Sequence, residues 1–293
     1  MKRKLGLALS GGGIKAYGEV GVYQVFEENE IVFDGFAGTS MGSIIACFLA
    51  CQLNAAEVRE HMLDLEANII KNKLFKPSNF ELLPLVLKQT DGFIKSNLFE
   101  SLLKTHFDAL GYQFISQIPE LFVCVATDLM SGKAVIFTND PKSFAKSKEY
   151  IVISDIEIVR ALTASCSFPL VFNTTKIMDM QLVDGGIMMN IPVVPLKIMG
   201  FEKVVSVCMQ DMTEFKESTS MRDIASRIID IGMHETENWM VAASDLHITI
   251  KTKNIGVFSM GKGTLMIEKG YKTAIKMFDQ INKIKIQKRR FWL

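Results

Sequence analysis

The sequence holds 293 residues, enough for one large domain or two small ones around a sizeable core. Hydrophobic residues make up 48%, charged residues 22%, and the formal net charge is +1, so no overall basic bias points to a nucleic-acid partner. The cysteines Cys47, Cys51, Cys124, Cys166 and Cys208 are scattered and no histidine cluster completes a zinc pattern, so buried free thiols in a reducing, cytoplasmic setting are expected, with no metal.

Met1-Lys2-Arg3-Lys4 leads into an apolar stretch, Leu5 to Leu9, that is too short for a signal peptide. No run of ~18 uncharged apolar residues predicts a transmembrane helix. Residues 4–9 read as a first buried strand, 14–29 as a helix, 31–37 as a second strand and 41–52 as a buried helix. This βαβα opening implies a mostly parallel sheet covered by helices. Residues 55–118 read as mainly helical, interrupted at Pro77 and Pro84, and form a cap-like insertion in a single α/β domain over 1–293. Pro77–Phe93, rich in Leu and Phe, is either a mobile cap over an acyl pocket or a packed core segment.

Residues 121–127 and 133–138 read as a hairpin around Ser131-Gly132. A helix over 155–166 stops before Pro169. A strand over 180–184 ends at Gly185-Gly186, and further buried strands cover 203–209 and 246–250. Apolar residues recur at helical period over 221–239, at Met221, Ile224, Ala225, Ile228 and Ile231, and again over 264–284. The last helix runs into a C-terminal basic tail within 264–293.

Three motifs carry chemistry. Gly38-Thr39-Ser40-Met41-Gly42 matches G-x-S-x-G, the sharp strand-to-helix turn that projects a serine hydroxyl, with Gly38 and Gly42 where side chains would clash. Gly11-Gly12-Gly13 follows the first strand and opens a helix, so its N–H groups can converge on an anion, either an acyl oxyanion or a phosphate. The same loop fits a dinucleotide fingerprint, Gly11-x-Gly13-x-x-Ala16 with Asp34 further on. A dinucleotide site has no use for a serine elbow after the next strand, however. Asp184-Gly185-Gly186 ends a strand at a third glycine turn, where a partly desolvated carboxylate could take the Ser40 proton directly. Of the histidines, His61 and His106 fall on predicted surface helices and His247 in an apolar strand. An α/β-hydrolase triad of Ser40, Asp184 and His234 or His247 is the alternative reading.

Together and in this order, the three motifs resemble the patatin-like phospholipase family, in its bacterial type, over about residues 4–200. Leu7-Ala8-Leu9-Ser10-Gly11-Gly12-Gly13 looks like the family's oxyanion-loop opening, Gly38 to Ser43 like its nucleophile elbow, and Val183-Asp184-Gly185-Gly186 with Asn190 and Pro192 like its aspartate segment. Ala126-Thr127-Asp128-Leu129 and Arg160-Ala161 through Phe168-Pro169 match more weakly. The resemblance implies a three-layer α/β/α sandwich and a Ser-Asp dyad that needs no cofactor. Ser40 would be the nucleophile, Asp184 the base, and the N–H groups of Gly11, Gly12 and Gly13 the oxyanion hole. Ile14-Lys15-Ala16 departs from the family's Ala-Arg-Gly, and Lys15 keeps a cation that could hold a lipid phosphate.

The expected activity is hydrolysis of a phospholipid or other acyl lipid, of phospholipase A or lysophospholipase type. A transacylase using the same serine and a non-catalytic lipid-binding protein are the rivals. Lys283, Lys285, Lys288, Arg289 and Arg290, running into Phe291-Trp292-Leu293, suit peripheral contact with an anionic membrane.

Overall fold

The computed structural model describes residues 4–75, 94, 96–209, 217–219, 221–253 and 255–284. Strand β1 (Leu5–Leu9) is wholly buried. A 3₁₀ turn over Gly13–Tyr17 leads into α1 (Gly18–Glu28). The next strand, β2, is Gly35–Thr39 and not 31–37. The apolar run misleads because Ile31 and Phe33 reach the core from a loop while Val32 is exposed. The Asp34 carboxylate ends that loop by accepting from the Lys4 and Leu5 N–H groups, each at 2.9 Å.

Helix α2 (Met41–Ala50) is buried along its whole length. Helix α3 (Ala55–Lys71) starts with a capping box: Asn54 accepts from the Ala56 and Glu57 N–H groups while Glu57 accepts from Asn54 N–H. Helix α4 (Ser96–Leu110) follows. Val58, Met62 and Leu65 of α3 and Phe99, Leu103 and Phe107 of α4 belong to the main core. Both helices bounding the expected insertion are therefore part of a helical layer. Its middle, with Pro77–Phe93, lies outside the described residues except Ile94, which bridges to Phe172.

The remaining elements are β3 (Leu121–Asp128), β4 (Lys133–Thr138), β5 (Ile151–Ile153), α5 (Ile158–Ser165), β6 (Thr175–Ile177), β7 (Met180–Asp184), α6 (Gly186–Met189), α7 (Val193–Ile198), β8 (Lys203–Cys208), α8 (Met221–Ala243), β9 (Leu246–Thr249), α9 (Gly263–Lys276) and α10 (Phe278–Ile284). The strands form one sheet in the order β5-β4-β3-β2-β1-β8-β9, with the β6–β7 hairpin attached to β3. The five strands from β3 to β9 in that order are mutually parallel.

Alternation along β1 sends Leu7 and Leu9 to one face and Ala8 to the other. The first face packs on α1 to α5, α9 and α10, and the second on α6, α7 and α8. The result is the three-layer α/β/α sandwich that the resemblance implies, around the mostly parallel sheet expected from the βαβα opening. Among the described residues no helix is long and apolar enough to cross a membrane. Of the basic tail only Lys283 is described, in the last turn of α10; 285–293 lie outside the described residues.

Candidate active site

Strand β4 covers one edge of β3 from Val123 to Asp128. The other edge is shared: β2 pairs over Leu121–Val125 and β7 over Ala126–Asp128. Strand β2 runs parallel to β3 and β7 antiparallel, so their C-terminal ends meet head-on, Thr39 opposite Val125 and Asp184 opposite Ala126. The sheet register thus delivers Ser40 and Asp184 to the same point from opposite directions. The sequence reading placed Asp184 at a strand's carboxyl end, but not on a strand opposed to the others.

Ser40 turns the chain from β2 into α2 with φ 53° and ψ −131°, a conformation that L residues rarely adopt. Its surroundings hold it there. The Ser40 N–H donates to Ser165 Oγ at 2.8 Å, and the Ser165 hydroxyl donates to the Val125 carbonyl at 2.6 Å. The Ser40 carbonyl accepts from Ser43 N–H at 2.9 Å and Ser43 Oγ at 2.6 Å. Gly42 is forced by close approach, because a Cβ there would run into the Ser10 carbonyl. The elbow therefore packs directly on the glycine loop.

Asp184 is buried, with its N–H donating to the Ser167 carbonyl at 2.9 Å and its Oδ1 accepting from Gly186 N–H at 2.8 Å. Its Oδ2 has no hydrogen bond of standard geometry among the described residues. Burial pushes this carboxyl up to about 6, even though the nearby Ser40 hydroxyl and the Gly186 N–H both favour the ionised form. The two weaker matching stretches also find their place here. Ala126 is the register partner of Asp184, and the segment from Arg160 to Pro169 carries Ser165 and Ser167, which hold the two residues' backbones.

The glycine loop commits most of its amides internally. Ser10 N–H donates to Glu19 Oε1 at 2.7 Å and Gly11 N–H to Asn190 Oδ1 at 3.1 Å. Ile14 N–H donates to the Val257 carbonyl at 3.0 Å and Lys15 N–H to that of Gly12 at 3.2 Å. Among the described residues, Gly12 and Gly13 N–H are left with no internal acceptor. Gly13 has φ +56°, and a Cβ there would strike the Val257 carbonyl. Gly11, one of the three expected donors, spends its N–H on Asn190.

Gly11, Gly12, Gly13, Ser40, Asp184 and Asn190 line one cavity of about 580 Å³. One wall is aromatic: Phe75, Phe99, Phe168, Phe172 and Phe258 form a connected cluster with ring centroids 5.1–5.9 Å apart. Another is polar: Lys15, Arg227, Asp230, His234 and Glu237. Burial raises the Asp230 carboxyl, and the charges of Arg227 and Lys15 pull it back. The cation of Lys15 is therefore shared with acids on α8.

The family model for patatin-like phospholipases matches residues 7–197, well over half of the chain and all three motifs. The chain belongs to the patatin-like phospholipase family. Among its relatives, the uncharacterized protein YqhO of Bacillus subtilis is 26% identical over 195 residues, covering 63% of this chain and 64% of that protein. An uncharacterized NTE family protein of Mycobacterium tuberculosis is 28% identical over 204 residues, covering 70% of this chain and 48% of that protein. Lysophospholipase NTE1 of Mycosarcoma maydis is 21% identical over 301 residues, covering 94% of this chain but 15% of that protein. The chain thus spans less than two thirds of these relatives' own lengths. A chain of the heterodimeric ExoU–SpcU complex of the Pseudomonas aeruginosa type III secretion system aligns with a TM-score of 0.50 at 16% identity, covering 96% of this chain and 52% of that one. It shares the fold.

In this patatin-like chain each histidine has its own partners. His247 on β9 is held in the sheet by Ser206 Oγ at 2.7 Å and Cys208 Sγ at 3.4 Å. His234 lines the cavity, but its Nδ1 lies 3.3 Å from Glu237 Oε2. His61 and His106 are not the surface pair expected from their helices. Their Nδ1 atoms lie 3.0 Å apart and both rings pack on Phe48 where α3 and α4 meet, with His106 buried.

Sequence reasoning missed Ser165, Glu19 and Glu237, and assigned Asn190 no task. The one available signal was at Glu19, an acid in the apolar stretch Ala16 to Val22. The helical period expected over 221–239 is borne out by α8, whose Ile224, Ile228 and Ile231 are exposed. A neighbouring face, with Arg227, Asp230, His234 and Glu237, lines the cavity.

Proposed function

We propose that the chain is a serine acyl hydrolase that cleaves carboxylic esters of phospholipids or lysophospholipids through an acyl-Ser40 intermediate, with Asp184 as its base. The observation that carries this reading is the head-on meeting of β2 and β7, which sets a strained Ser40 beside a buried carboxyl with an open Oδ2.

The chemistry follows from the placement. Ser40 Oγ attacks the ester carbonyl carbon as its proton passes to Asp184 Oδ2. The carbonyl oxygen becomes an oxyanion that accepts from the Gly12 and Gly13 N–H groups. Collapse expels the alcohol, which takes the proton back from Asp184. Water then adds to the acyl-serine, giving its proton to Asp184, and the carboxylic acid leaves as Ser40 is reprotonated. The aromatic wall suits an acyl chain, and the polar wall, with Lys15 and Arg227, suits a headgroup carrying phosphate.

Release of fatty acid from mixed phospholipid and lysophospholipid vesicles tests the reading. Wild type should be active, and Ser40→Ala and Asp184→Asn inactive though folded. Undiminished activity in Ser40→Ala sinks the proposal. Transfer of the acyl group to an added alcohol, with no free acid, moves it to a transacylase.

A further inference from the structure

The first glycine of the oxyanion loop is tied to a helix as well as to its neighbours in the sheet layer. Gly11 N–H donates to Asn190 Oδ1 at 3.1 Å and to the Asn190 carbonyl at 3.2 Å. The Asn190 Nδ2 in turn donates to Glu237 Oε1 at 2.6 Å. Glu237 Oε2 lies 3.3 Å from His234 Nδ1. Asn190 is 4% exposed and Glu237 9%, so water offers neither an easy alternative partner.

The direction of these bonds matters. An ionised carboxylate only accepts, and an amide has one donor side and one acceptor side. Glu237 therefore draws the NH₂ of Asn190 toward itself and leaves Oδ1 facing Gly11. With the amide reversed, an NH₂ group would oppose the Gly11 N–H, and the Ser10–Gly11 peptide that carries it would have to turn, shifting the chain into Gly12. That turn would re-aim the two N–H groups that the acyl-serine reading uses for the oxyanion. Glu237 itself is on α8, outside the three motifs and 47 residues along the chain from Asn190.

Resting on that reading of the loop, we propose that Glu237 is a positioning residue of the oxyanion hole, fixing the Asn190 amide so that Gly11 stays anchored and Gly12 and Gly13 stay aimed at the developing charge.

The test uses the full chain and two substrates of Ser40: a p-nitrophenyl ester, and a fluorophosphonate that forms a tetrahedral adduct. Glu237→Leu should lower kcat and the rate of phosphonylation per folded molecule by about tenfold or more, while KM moves by less than about threefold. Glu237→Gln, whose side-chain carbonyl still accepts the Asn190 amide, should recover most of that loss. A purely structural role would lower the fraction of molecules that react, not the rate of those that do. Should Glu237→Leu not fold, Asn190→Asp gives the same readout, because it sets two carboxylates face to face. Adding Glu237→Gln to it restores a donor and should speed phosphonylation again. The proposal is overturned if Glu237→Leu reacts at the wild-type rate, if Glu237→Gln is as slow as Glu237→Leu, or if the double variant is no faster than Asn190→Asp. If wild type is not modified at Ser40 at all, the acyl-serine reading itself falls, a result distinct from each of these.

Discussion

Asp184→Asn is expected to abolish catalysis and to make the protein more stable. The carboxyl is moved by burial from an ordinary 3.8 to about 6. Each pH unit between those values is worth about 1.4 kcal/mol, so ionising Asp184 inside the fold costs about 3 kcal/mol at neutral pH. Asparagine keeps an oxygen for the Gly186 N–H and carries no charge to desolvate. The sign follows from proton counting. Below about pH 4 folded and unfolded chains both hold the proton, and the charge makes no difference. Between about 4 and 6 only the folded chain holds it, so wild-type stability falls as pH rises. Above that neither holds it and the full penalty remains. Urea unfolding of both proteins from pH 4.5 to 8 should therefore give a stability gap that widens to about 2–3 kcal/mol and then levels off. Carboxyls common to both proteins cancel in the difference. Equal stability at pH 8, or a gap of the same size at both ends, would refute the claim that Asp184 is a desolvated base.

The same carboxyl governs activity, so kcat/KM should rise with pH through an apparent pKa of about 6 and then hold. A profile unchanged between pH 5 and 8 would contradict this. Ser40→Gly should be inactive yet more stable than Ser40→Ala by about 1 kcal/mol, since glycine adopts the φ of 53° without strain; denaturant midpoints decide it. Burial holds the Glu19 carboxyl well above its usual range, with Oε2 unpartnered. Glu19→Gln keeps the acceptor for Ser10 and should gain stability at pH 8 relative to pH 5, as read by thermal melts. His247→Ala should retain ester hydrolysis, because His247 is bonded within the sheet and is not among the cavity's lining residues; loss of turnover in a folded variant would count against the dyad.

The elements that carry the motifs were legible because each combines a short apolar run with glycines that have a steric reason to be there. Leu5 to Leu9 before the glycine loop, and Met41 onward after the elbow, are such cases. What escaped was non-local. Nothing in Met180 to Asp184 says that this strand runs against β3, since direction is set by the short β6–β7 hairpin. Nor does local sequence pair Asn190 with Glu237, 47 residues apart, or Ser165 with Ser40, 125 apart. Periodicity found α8 but not which of its residues face the cavity: Ile224, Ile228 and Ile231 are exposed, while Arg227, Asp230, His234 and Glu237 line it. The glycine loop was legible as a turn from strand to helix, but which of its amides stay open depends on partners from β8, α1, the end of α6 and the loop before α9.

The central claim is that Ser40 is acylated with Asp184, and no histidine, as its base. Intact-mass analysis of rapidly quenched p-nitrophenyl ester turnover tests it most directly, comparing wild type, Asp184→Asn and the double variant His234→Ala/His247→Ala. The account predicts an acyl adduct on the peptide containing Ser40 in wild type and in the double histidine variant, and none in Asp184→Asn. An adduct that forms in Asp184→Asn but is lost in the folded histidine variant would contradict it.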